Sequence, residues 1–571
     1  MKYPNIYDNN FYDKINNTYK KYTIPKKKKS FKEYCFPKKY QLQIPQQFAE
    51  NFLNPETPYK SLLIYHKIGS GKTCTAIRIA ERWKHKRKII VVLPASLKNN
   101  FRSELRSLCA GNSYLKQSER TELLNLHPND NKYIDIINKS DDRIDKYYEI
   151  YSYNKFIDYI KDNQIKLNNC LLIIDEIQNM ISEDGTYYTE LFKLINKSSS
   201  DLRLVLLSAT PMFDKPNELA LTINLLRPEI KMPINKAFNK TFITTVQKKD
   251  GTIIYDIKNT DKFKKILKGY ISYYRGAPSY VYPELLVKYV KCYMSDFQYN
   301  IYKSILRNEK KNETVNKYKI TSFSQLPNNF FIGTRFVSNI VFPNKLINDD
   351  GFESLTKRQI INNLNIYSTK FYSIITKIMK TSGKIFIYSG FKEYAGLRSM
   401  IKILEAYNYK NYSEHGQGKK RFAVWSGDET LTYKEEIKNI YNLKENLDGS
   451  KIKIILGSSS IKEGISFYGV KQVHILEPYW NNARIEQIIG RASRFCSHKD
   501  LDLEKRKVKV YIYLAVHPLE DETVDEYIYQ ISKQKNELVH KFEKIIKEVA
   551  VDCTLNKNAN KDEGDDYICE K

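Results

Sequence analysis

Short apolar runs without regular polar alternation limit what this chain can fold into. The first set lies between residues 61 and 226, is interrupted by helical segments, and comprises Leu62–Tyr65, Ile89–Leu93, Cys170–Ile174 and Leu202–Leu207. A second set comprises Lys384–Tyr388, Lys451–Leu456, Gln472–Leu476 and Val508–Leu514. β-branched and Leu-rich runs of this length are typical of strands buried on both faces of a parallel sheet. The pattern therefore predicts an α/β chain with two parallel sheets in tandem.

The remaining segments complete a division of the chain into five parts. Residues 1–40 form a polar, aromatic arm with lysines at 26–29, and residues 231–365 lose the α/β rhythm. Between 236 and 268 this insertion holds nine lysines against three aspartates. Both basic segments fit solvated surface or contact with phosphates. The predicted parts are 1–40 (basic arm), 41–230 (first sheet domain), 231–365 (basic insertion), 366–520 (second sheet domain) and 521–571 (C-terminal helices and acidic tail).

The C-terminal part has apolar residues at helical spacing. They are Val524, Ile528, Ile531, Leu538, Phe542, Ile545, Ile546 and Val549. This spacing predicts one or two helices that pack on the second sheet. The tail after Cys553 is acidic, and we expect it to be mobile.

The charge of the chain favours a polyanionic partner. Its 94 Lys and Arg against 65 Asp and Glu leave a formal charge of +29. Such a surplus predicts attraction to nucleic acid. The abundance of Lys, Asn, Ile and Tyr also fits an AT-rich genome, so composition alone leaves both explanations open.

The cysteines and the apolar runs predict a compartment. The eight cysteines form no C-x-x-C pair, and we expect free thiols in a reducing compartment. The N-terminus has no apolar core of the signal-peptide type, and no run reaches the ~18 apolar residues of a membrane span. We therefore predict a soluble, intracellular protein without a membrane partner.

The stretch HKIGSGKT, residues 66–73, has the context of a phosphate-binding loop. It follows one strand candidate and precedes an amphipathic helix candidate. Backbone amides and the positive helix end would hold the phosphates of ATP. Lys72 would reach the β and γ phosphates, and the Thr73 hydroxyl would ligate Mg²⁺. The predicted nucleotide-binding residues here are His66, Lys67, Ile68, Gly69, Ser70, Gly71, Lys72 and Thr73.

Two adjacent carboxylates end the strand candidate at residues 170–174. Asp175 would hold the Mg²⁺ shell, and Glu176 would orient and deprotonate the attacking water. The alternative is a strand that happens to end in an exposed acidic turn. The upstream Lys72 favours the catalytic interpretation.

Two further groups of residues would link nucleotide state to the rest of the molecule. Ser208 and Thr210 end a strand candidate, where their hydroxyls can hydrogen-bond Gln178. In QIIGRASR, residues 487–494, two arginines spaced by three on a helix would point the same way. Arg491 and Arg494 could then act as arginine fingers, with Gln487 sensing loss of the γ-phosphate. The alternative is a pair of surface arginines that pair with acids.

In this order, the phosphate loop, DEIQ, SAT and Q-x-x-G-R-x-x-R resemble a superfamily 2 helicase core. The resemblance implies two RecA-like domains with ATP in the cleft between them, and Gln46 in LQIPQ as the residue that reads adenine. A residue other than Gly at position 66 is ordinary in that superfamily. Gln178 replaces the usual His, and Ser466 replaces a usual carboxylate. Both departures leave hydrolysis intact and put duplex unwinding in question.

Other stretches resemble the helicase-like ATPases of nucleocytoplasmic large DNA viruses, which include nucleoside triphosphatase I and the small subunit of the early transcription factor. These stretches are Pro211-Met212, EGISF at 463–467, HILEPYWN at 474–481, GRASR at 490–494 with Ser497-His498, and AVDC at 550–553. The resemblance implies DNA-stimulated ATP hydrolysis alongside a viral RNA polymerase and transcription factors. It also implies packaging in the virion and action in viral factories of the host cytoplasm.

The sequence therefore predicts an ATP- and Mg²⁺-dependent nucleic-acid translocase or helicase, on DNA rather than RNA. One alternative is a promoter-binding early transcription factor subunit whose ATPase drives release from DNA. Another is a structural virion protein with a decayed ATPase, against which the intact set of Lys72, Asp175, Glu176, Arg491 and Arg494 argues.

Overall fold

The computed structural model describes residues 3–26, 29–127, 130–181, 185–247, 253–311, 330–462, 465–561 and 567–571. The chain divides into two compact units, unit 1 with residues 1–278 and 537–571 and unit 2 with residues 279–536. Parts of four predicted features lie outside the described residues. They are residues 1, 2, 27 and 28 of the arm, residues 248–252 and 312–329 of the insertion, residues 463 and 464 of the EGISF stretch, and residues 562–566 of the acidic tail.

Unit 1 is built on a mainly apolar parallel sheet. The strands of unit 1 are β1 (Ser61–His66), β2 (Lys88–Leu93), β3 (Tyr148–Ser152), β4 (Cys170–Ile174), β5 (Arg203–Ser208), β6 (Ile243–Gln247), β7 (Ile253–Ile257) and β8 (Ile271–Tyr274). Its helices up to residue 278 are α1 (Phe11–Thr18), α2 (Phe31–Cys35), α3 (Ile44–Phe52), α4 (Lys72–Trp83), α5 (Lys98–Leu105), α6 (Gln117–Leu123), α7 (Asn131–Asp145), α8 (Tyr153–Lys161), α9 (Thr186–Lys197), α10 (Glu218–Leu225), α11 (Asn235–Phe242) and α12 (Thr260–Leu267).

The strand order of unit 1 sets the position of its polar residues. The six-stranded sheet has the order β3-β2-β4-β5-β1-β8, and every pair in it is parallel. Tyr65 near the end of β1 therefore lies level with Ser208 at the end of β5. The carboxyl ends of β1, β4 and β5 meet at one edge, where ligands bind in open α/β sheets.

Unit 2 is a second parallel sheet with helices. Its strands are β9 (Glu284–Tyr293), β10 (Lys384–Tyr388), β11 (Lys410–Asn411), β12 (Arg421–Trp425), β13 (Ile454–Gly457), β14 (Val470–Ile475) and β15 (Lys507–Val516). Its helices are α13 (Asp296–Lys311), α14 (Ile332–Asn339), α15 (Asp349–Ser354), α16 (Lys357–Tyr367), α17 (Thr369–Met379), α18 (Leu397–Ala406), α19 (Tyr412–His415), α20 (Leu431–Asn442), α21 (Asn482–Ala492) and the first part of α22 (Val524–Glu548). The strands pair in parallel in the order β11-β12-β13-β10-β14-β15-β9. The two predicted parallel sheets are therefore confirmed.

The segment between the two strand sets contributes to both sheets. β8 is added beside β1, β9 is added beside β15, and β6 pairs with β7 in an antiparallel hairpin. Sequence patterns did not indicate these strands. β8 has only four residues, and β9 is an edge strand whose side chains are largely exposed, so neither shows a long apolar run.

The N-terminal arm is partly buried. Phe11, Ile15 and Tyr19 belong to the core of unit 1, while Lys20 and Lys21 beside them are exposed. The choice between solvated surface and phosphate contact for the lysines stays open, and the burial of the apolar side of α1 was not predicted. Aromatic rings at helical spacing are stabilised by burial, which a basic composition does not prevent.

The C-terminal part was expected to pack on the second sheet, and that is right only for its beginning. Val524, Ile528 and Ile531 pack in a core of unit 2. Residues from 537 onward belong to unit 1, where Phe542 packs against Phe263 and the helix α23 (Cys553–Asn560) follows. Helical spacing reveals an apolar face but does not say which core covers it.

The cysteines correct a second expectation. Disulfides join Cys74 to Cys109 and Cys553 to Cys569, so the prediction of free thiols is wrong for these four. Cys170 and Cys292 are free thiols, as predicted. Tertiary folding brings the Cα atoms of Cys74 and Cys109 within 5.8 Å, a proximity that the sequence spacing did not indicate.

The acidic tail is also held in place where it is described. Cys569 is tied to α23, Tyr567 is buried, and Glu570 N donates a hydrogen bond to Glu548 O at 3.0 Å. The expectation of a mobile tail is therefore wrong for residues 567–571. Within the described residues, no helix combines the length and the apolar character that crossing a membrane requires.

Candidate active site

The loop between β1 and α4 has the geometry of a phosphate cradle. Gly69 and Gly71 have φ values of 81° and 80°, in the left-handed region that side chains other than glycine rarely adopt. α4 begins at Lys72, so its first amides and the positive end of its dipole face the loop. Ser70 is buried, and its Oγ has no hydrogen-bond partner among the described residues. Such a donor set fits the phosphates of ATP.

Gln46 lies directly against this loop. Its Nε2 donates to the Gly71 carbonyl at 3.2 Å, and its Oε1 accepts from Gln43 N at 2.8 Å. A Cβ on Gly71 would stand 2.6 Å from Gln46 Nε2, which is too close for any real contact. The predicted adenine-reading residue therefore also supports the backbone of the loop. Ile68, in the loop itself, is half-buried.

We expect Gly71→Ala to lower nucleotide affinity about tenfold or more and to lower the free energy of unfolding by about 1–2 kcal/mol. The reasons are that alanine is strained at this φ and that its Cβ displaces Gln46. Titration with a fluorescent ATP analogue and chemical denaturation measure the two effects. Gly111→Ala is the matched control, since Gly111 also has a positive φ of 65° but a Cβ there would meet nothing within 4 Å. Equal nucleotide affinity in the two variants would contradict the role given to Gly71.

The acidic pair stands at the end of β4 in a constrained conformation. Glu176 has φ 49° and ψ 50°, a left-handed conformation that is uncommon for glutamate. Tyr153 Oη donates to the carbonyls of Asp175 at 2.5 Å and Glu176 at 3.0 Å, and Glu176 N donates to Asp175 Oδ1 at 2.9 Å. These bonds fix the backbone of both residues and the carboxylate of Asp175 at the edge of the sheet where ligands bind. Non-glycine residues with such backbone angles concentrate at functional sites.

The structure brings Lys72 and Glu176 together. Lys72 Nζ lies 3.6 Å from Glu176 Oε1, and both side chains are largely buried, with 11% and 21% exposure. An ammonium at this place can neutralise phosphate oxygens. Asp175, which is buried, and the Thr73 hydroxyl offer the oxygen ligands that Mg²⁺ prefers.

A hydrogen-bonded path leads from Glu176 to the end of β5. Gln178 Nε2 donates to Glu176 Oε2 at 2.6 Å, and Ser208 Oγ donates to Gln178 Oε1 at 2.7 Å. Ser208 Oγ also accepts from Thr210 N at 3.0 Å. The predicted bond between Gln178 and Ser208 is therefore present. A neutral amide can donate and accept at once, so Gln178 joins Glu176 to Ser208 without a change in its own protonation.

His66 and Lys67, the first two residues of the loop stretch, contact residues that sequence reasoning missed. His66 Nε2 lies 3.0 Å from Ser272 Oγ, and Lys67 Nζ lies 3.1 Å from Glu543 Oε1. Ser272 is on β8, which showed no sequence signal, and Glu543 is on α22. The only hint in the sequence was the AVDC stretch that follows this helix.

In unit 2 the arginine pair is placed differently from the prediction. α21 ends at Ala492, so Arg491 lies on the helix and Arg494 lies beyond it. The expectation of two arginines on one helix is therefore wrong. Their guanidinium groups nevertheless converge, because Arg491 Nη1 and Arg494 Nη2 each donate to Ile465 O at 3.4 Å. Gln487 is half-buried on the same helix.

Two family models match this chain, and together they include residues of both units. The model of the SNF2-related domain matches residues 27–352, which is more than half of the chain. The chain belongs to the SNF2-related helicase-like ATPases. The model of the helicase conserved C-terminal domain matches residues 369–496, and therefore includes the region of Arg491 and Arg494.

Relatives place this SNF2-related ATPase among proteins of large DNA viruses. It is 54% identical over 573 residues to "Putative ATP-dependent RNA helicase R563" of Acanthamoeba polyphaga mimivirus, covering 100% of this chain and 99% of the relative. It is 25% identical to a "Termination factor NPH-I homolog" of African swine fever virus, covering 87% and 77%. Among solved structures it is similar to the helicase domain of Pyrococcus furiosus Hef, with 14% identity, a TM-score of 0.41 and coverage of 86% and 97%. The predicted resemblance to superfamily 2 ATPases of these viruses is confirmed.

Proposed function

We propose that this SNF2-related protein is a nucleic-acid-stimulated ATPase that translocates on DNA during viral transcription. The observation that carries the proposal is the continuous path from Lys72 through Glu176 and Gln178 to Ser208. Such a path links the place where the γ-phosphate would be bound to a strand end outside the loop. A change at Glu176 can therefore be relayed to the rest of unit 1.

ATP would be held by Gln46 and the loop of residues 66–73. Thr73 and Asp175 would hold Mg²⁺, which would polarise the phosphoryl oxygens when bound. Glu176 would orient and accept a proton from the attacking water. Arg491 and Arg494 would stabilise negative charge in the transition state, and Gln178, Ser208, Thr210 and Gln487 would couple hydrolysis to movement.

The charge of the chain supports a nucleic-acid track. A formal charge of +29 favours phosphate contacts, which dominate affinity and carry little base preference. We expect DNA binding to weaken by about 10³-fold or more between 50 and 200 mM salt if six or more phosphates are contacted. A titration of fluorescent duplex DNA over this salt range measures the slope.

The decisive experiment compares ATPase rates without nucleic acid and with single-stranded DNA, duplex DNA and RNA, in parallel with strand displacement. We expect stimulation by DNA above that by RNA. Stimulation without displacement would identify a translocase. Equal rates in all four conditions would refute the proposal, and stimulation by RNA alone would transfer the track to RNA.

Two names among the relatives bear on the proposal, one on its track and one on its role in transcription. The mimivirus relative is named as an RNA helicase, which makes RNA the competing track. The swine fever virus relatives are named as termination factors, which supports the proposed role in viral transcription. The promoter-binding alternative predicts tighter binding to promoter than to random duplexes, and equal affinities for the single chain would exclude it.

A further inference from the structure

The C-terminal segment of residues 537–560 lies against the back of the phosphate loop within unit 1. We propose that Glu543 and Asp552 of this segment are positioning residues that fix Lys67 and His66, the two residues that open the loop. The proposal rests on the proposed binding of ATP at the loop. It adds a part of the chain that matches neither helicase family model, since those matches end at residue 496.

Glu543 is the centre of a buried polar cluster. Its Oε1 accepts a short hydrogen bond from Tyr65 Oη and lies 3.1 Å from Lys67 Nζ, while its Oε2 lies 3.3 Å from His540 Nδ1. The Glu543 side chain is 9% exposed, and Tyr65 is fully buried at the end of β1. Burial alone would raise the pKa of the Glu543 carboxyl, but Lys67, His540 and Tyr65 outweigh it and hold that pKa well below its ordinary range. Glu543 is therefore a fixed negative charge beneath the loop.

Asp552 forms a second buried connection, which ends at His66. Ser272 Oγ donates to Asp552 Oδ2 at 2.6 Å, so its single proton is used there. While Asp552 is ionised, His66 Nε2, 3.0 Å from Ser272 Oγ, therefore carries the proton and donates it to this oxygen. Burial and the charge of Lys72 lower the pKa of His66 to about 3, which keeps the ring neutral. The chain Asp552–Ser272–His66 thus fixes both the tautomer and the orientation of the residue that replaces glycine in the loop pattern.

The backbone of this segment is joined to the same sheet. Val551 N donates to Ile271 O at 2.8 Å, and Tyr273 N donates to Asp552 Oδ1 at 2.9 Å. Asn556 Nδ2 donates to Tyr273 O at 3.1 Å and to Asp552 Oδ2 at 2.9 Å. Burial raises the pKa of Asp552 to about 7, and the bonds from Ser272, Tyr273 and Asn556 oppose that rise. In its ionised form, the Asp552 carboxylate is held in one direction by these three donors.

Stability alone is a weak reason for these two acids. A buried ion pair often adds little to stability, because removing the charges from water costs about as much as their attraction returns. Both acids act on the first two residues of the loop stretch, Glu543 on Lys67 and Asp552, through Ser272, on His66. A displacement of about 1 Å in a phosphate-binding group can lower catalysis about 10²-fold. Positioning of the loop accounts for both connections.

The first test compares Glu543→Gln with Glu548→Gln in the full chain. Glu548 is a matched control, since it lies on the same helix and pairs with Lys264 at 2.8 Å, a lysine of α12 outside the loop. We expect Glu543→Gln to weaken binding of a fluorescent ATP analogue about tenfold and to lower kcat/KM about 10- to 100-fold. Glu548→Gln should change neither by more than about twofold. Equal nucleotide affinities for the two variants, with comparable Tm values, would overturn the role of Glu543.

A double-mutant cycle keeps the test independent of folding. If Glu543 acts through Lys67, Glu543→Gln should cause less than about a twofold further loss of nucleotide affinity in a Lys67→Met background. Additive losses would refute the connection. Nucleotide affinity is measured without hydrolysis or nucleic acid, so this outcome is separate from the proposed function: a wild-type chain that binds ATP but is not stimulated by DNA refutes only the latter.

The second connection is tested by Ser272→Ala against Asn556→Ala. Ser272→Ala breaks the link between Asp552 and His66, whereas Asn556→Ala removes hydrogen bonds to Asp552 and Tyr273 and leaves that link intact. We expect a loss of nucleotide affinity of about fivefold or more only in Ser272→Ala. Equal effects of the two variants would show that Asp552 supports the fold and not the loop.

Discussion

Glu176→Gln should lower the ATPase turnover number about 10²–10⁴-fold, while nucleotide affinity stays within a few-fold of wild type. The amide keeps the shape of the side chain but cannot accept a proton from water. The carboxylate is placed for this task between two partners, with Oε1 3.6 Å from Lys72 Nζ and Oε2 2.6 Å from Gln178 Nε2. A glutamine can preserve one of these contacts but not the charge attraction to Lys72. The loss is therefore expected in kcat and not in binding.

The measurement is phosphate release under saturating ATP with and without duplex DNA, together with titration of a fluorescent ATP analogue. Glu190→Gln is the control, since Glu190 is a surface residue of α9 that pairs with Lys193 at 3.1 Å. Turnover by Glu176→Gln that equals that of wild type would remove Glu176 from the catalytic assignment. A tenfold loss of affinity with unchanged turnover would assign it to nucleotide binding.

Arg494→Ala is expected to have an effect of similar size through a different group. In the proposed finger role its guanidinium stabilises charge that develops on the transferred phosphoryl group, and such groups contribute about 10³–10⁵-fold to kcat. Because this charge is largest in the transition state, ATP affinity should fall much less than turnover. Arg494 lies in the loop after α21, and its guanidinium donates to the same carbonyl oxygen as that of Arg491. The loop after the helix therefore positions Arg494 beside Arg491.

Steady-state kinetics of Arg494→Ala and Arg494→Lys at several ATP concentrations separate kcat from KM. Arg421→Ala is the control in unit 2, since Arg421 on β12 donates to Gly416 O at 3.0 Å and is given no role in hydrolysis. Lysine is expected to restore only a small part of the activity, because it lacks the planar fork of arginine. A pure loss of affinity in Arg494→Ala would exclude the finger role.

Gln178 and Ser466, the two departures from the superfamily pattern, differ in what the structure says of them. Gln178 is buried and bridges Glu176 and Ser208 by its two amide ends. Ser466 contributes its backbone, with its carbonyl accepting from Asn442 Nδ2 at 2.8 Å. The structure therefore explains how glutamine can replace histidine at the first position. The effect of serine at position 466 on strand separation is measured by the strand-displacement assay.

The chemistry-bearing residues of unit 1 could be predicted from the sequence because each belongs to a short contiguous pattern. A phosphate loop depends on the backbone freedom of Gly69 and Gly71 and on the helix that follows, which are local properties. Asp175 and Ser208 each follow an apolar strand, and parallel strands place their carboxyl ends at one edge. The predicted hydrogen bond from Ser208 to Gln178 followed from that rule.

Other features depended on contacts between distant parts of the chain. No local sequence pattern indicates the strand order, the addition of β8 and β9, the disulfide between Cys74 and Cys109, or the end of α21 before Arg494. The apolar spacing of residues 524–549 predicted a helix correctly but assigned the part from residue 537 onward to the wrong core. A helix buries its apolar face wherever a complementary surface is available, and only tertiary packing decides which surface that is.

By itself, the sequence determined two parallel sheets, a nucleotide loop and an acidic pair, since strand periodicity and loop conformation are set by neighbouring residues. The tertiary structure alone decided that Glu543, which is 476 positions from Lys67, and Asp552 lie behind Lys67 and His66. Buried charges are stable only beside their partners, and those partners become neighbours only when the chain folds.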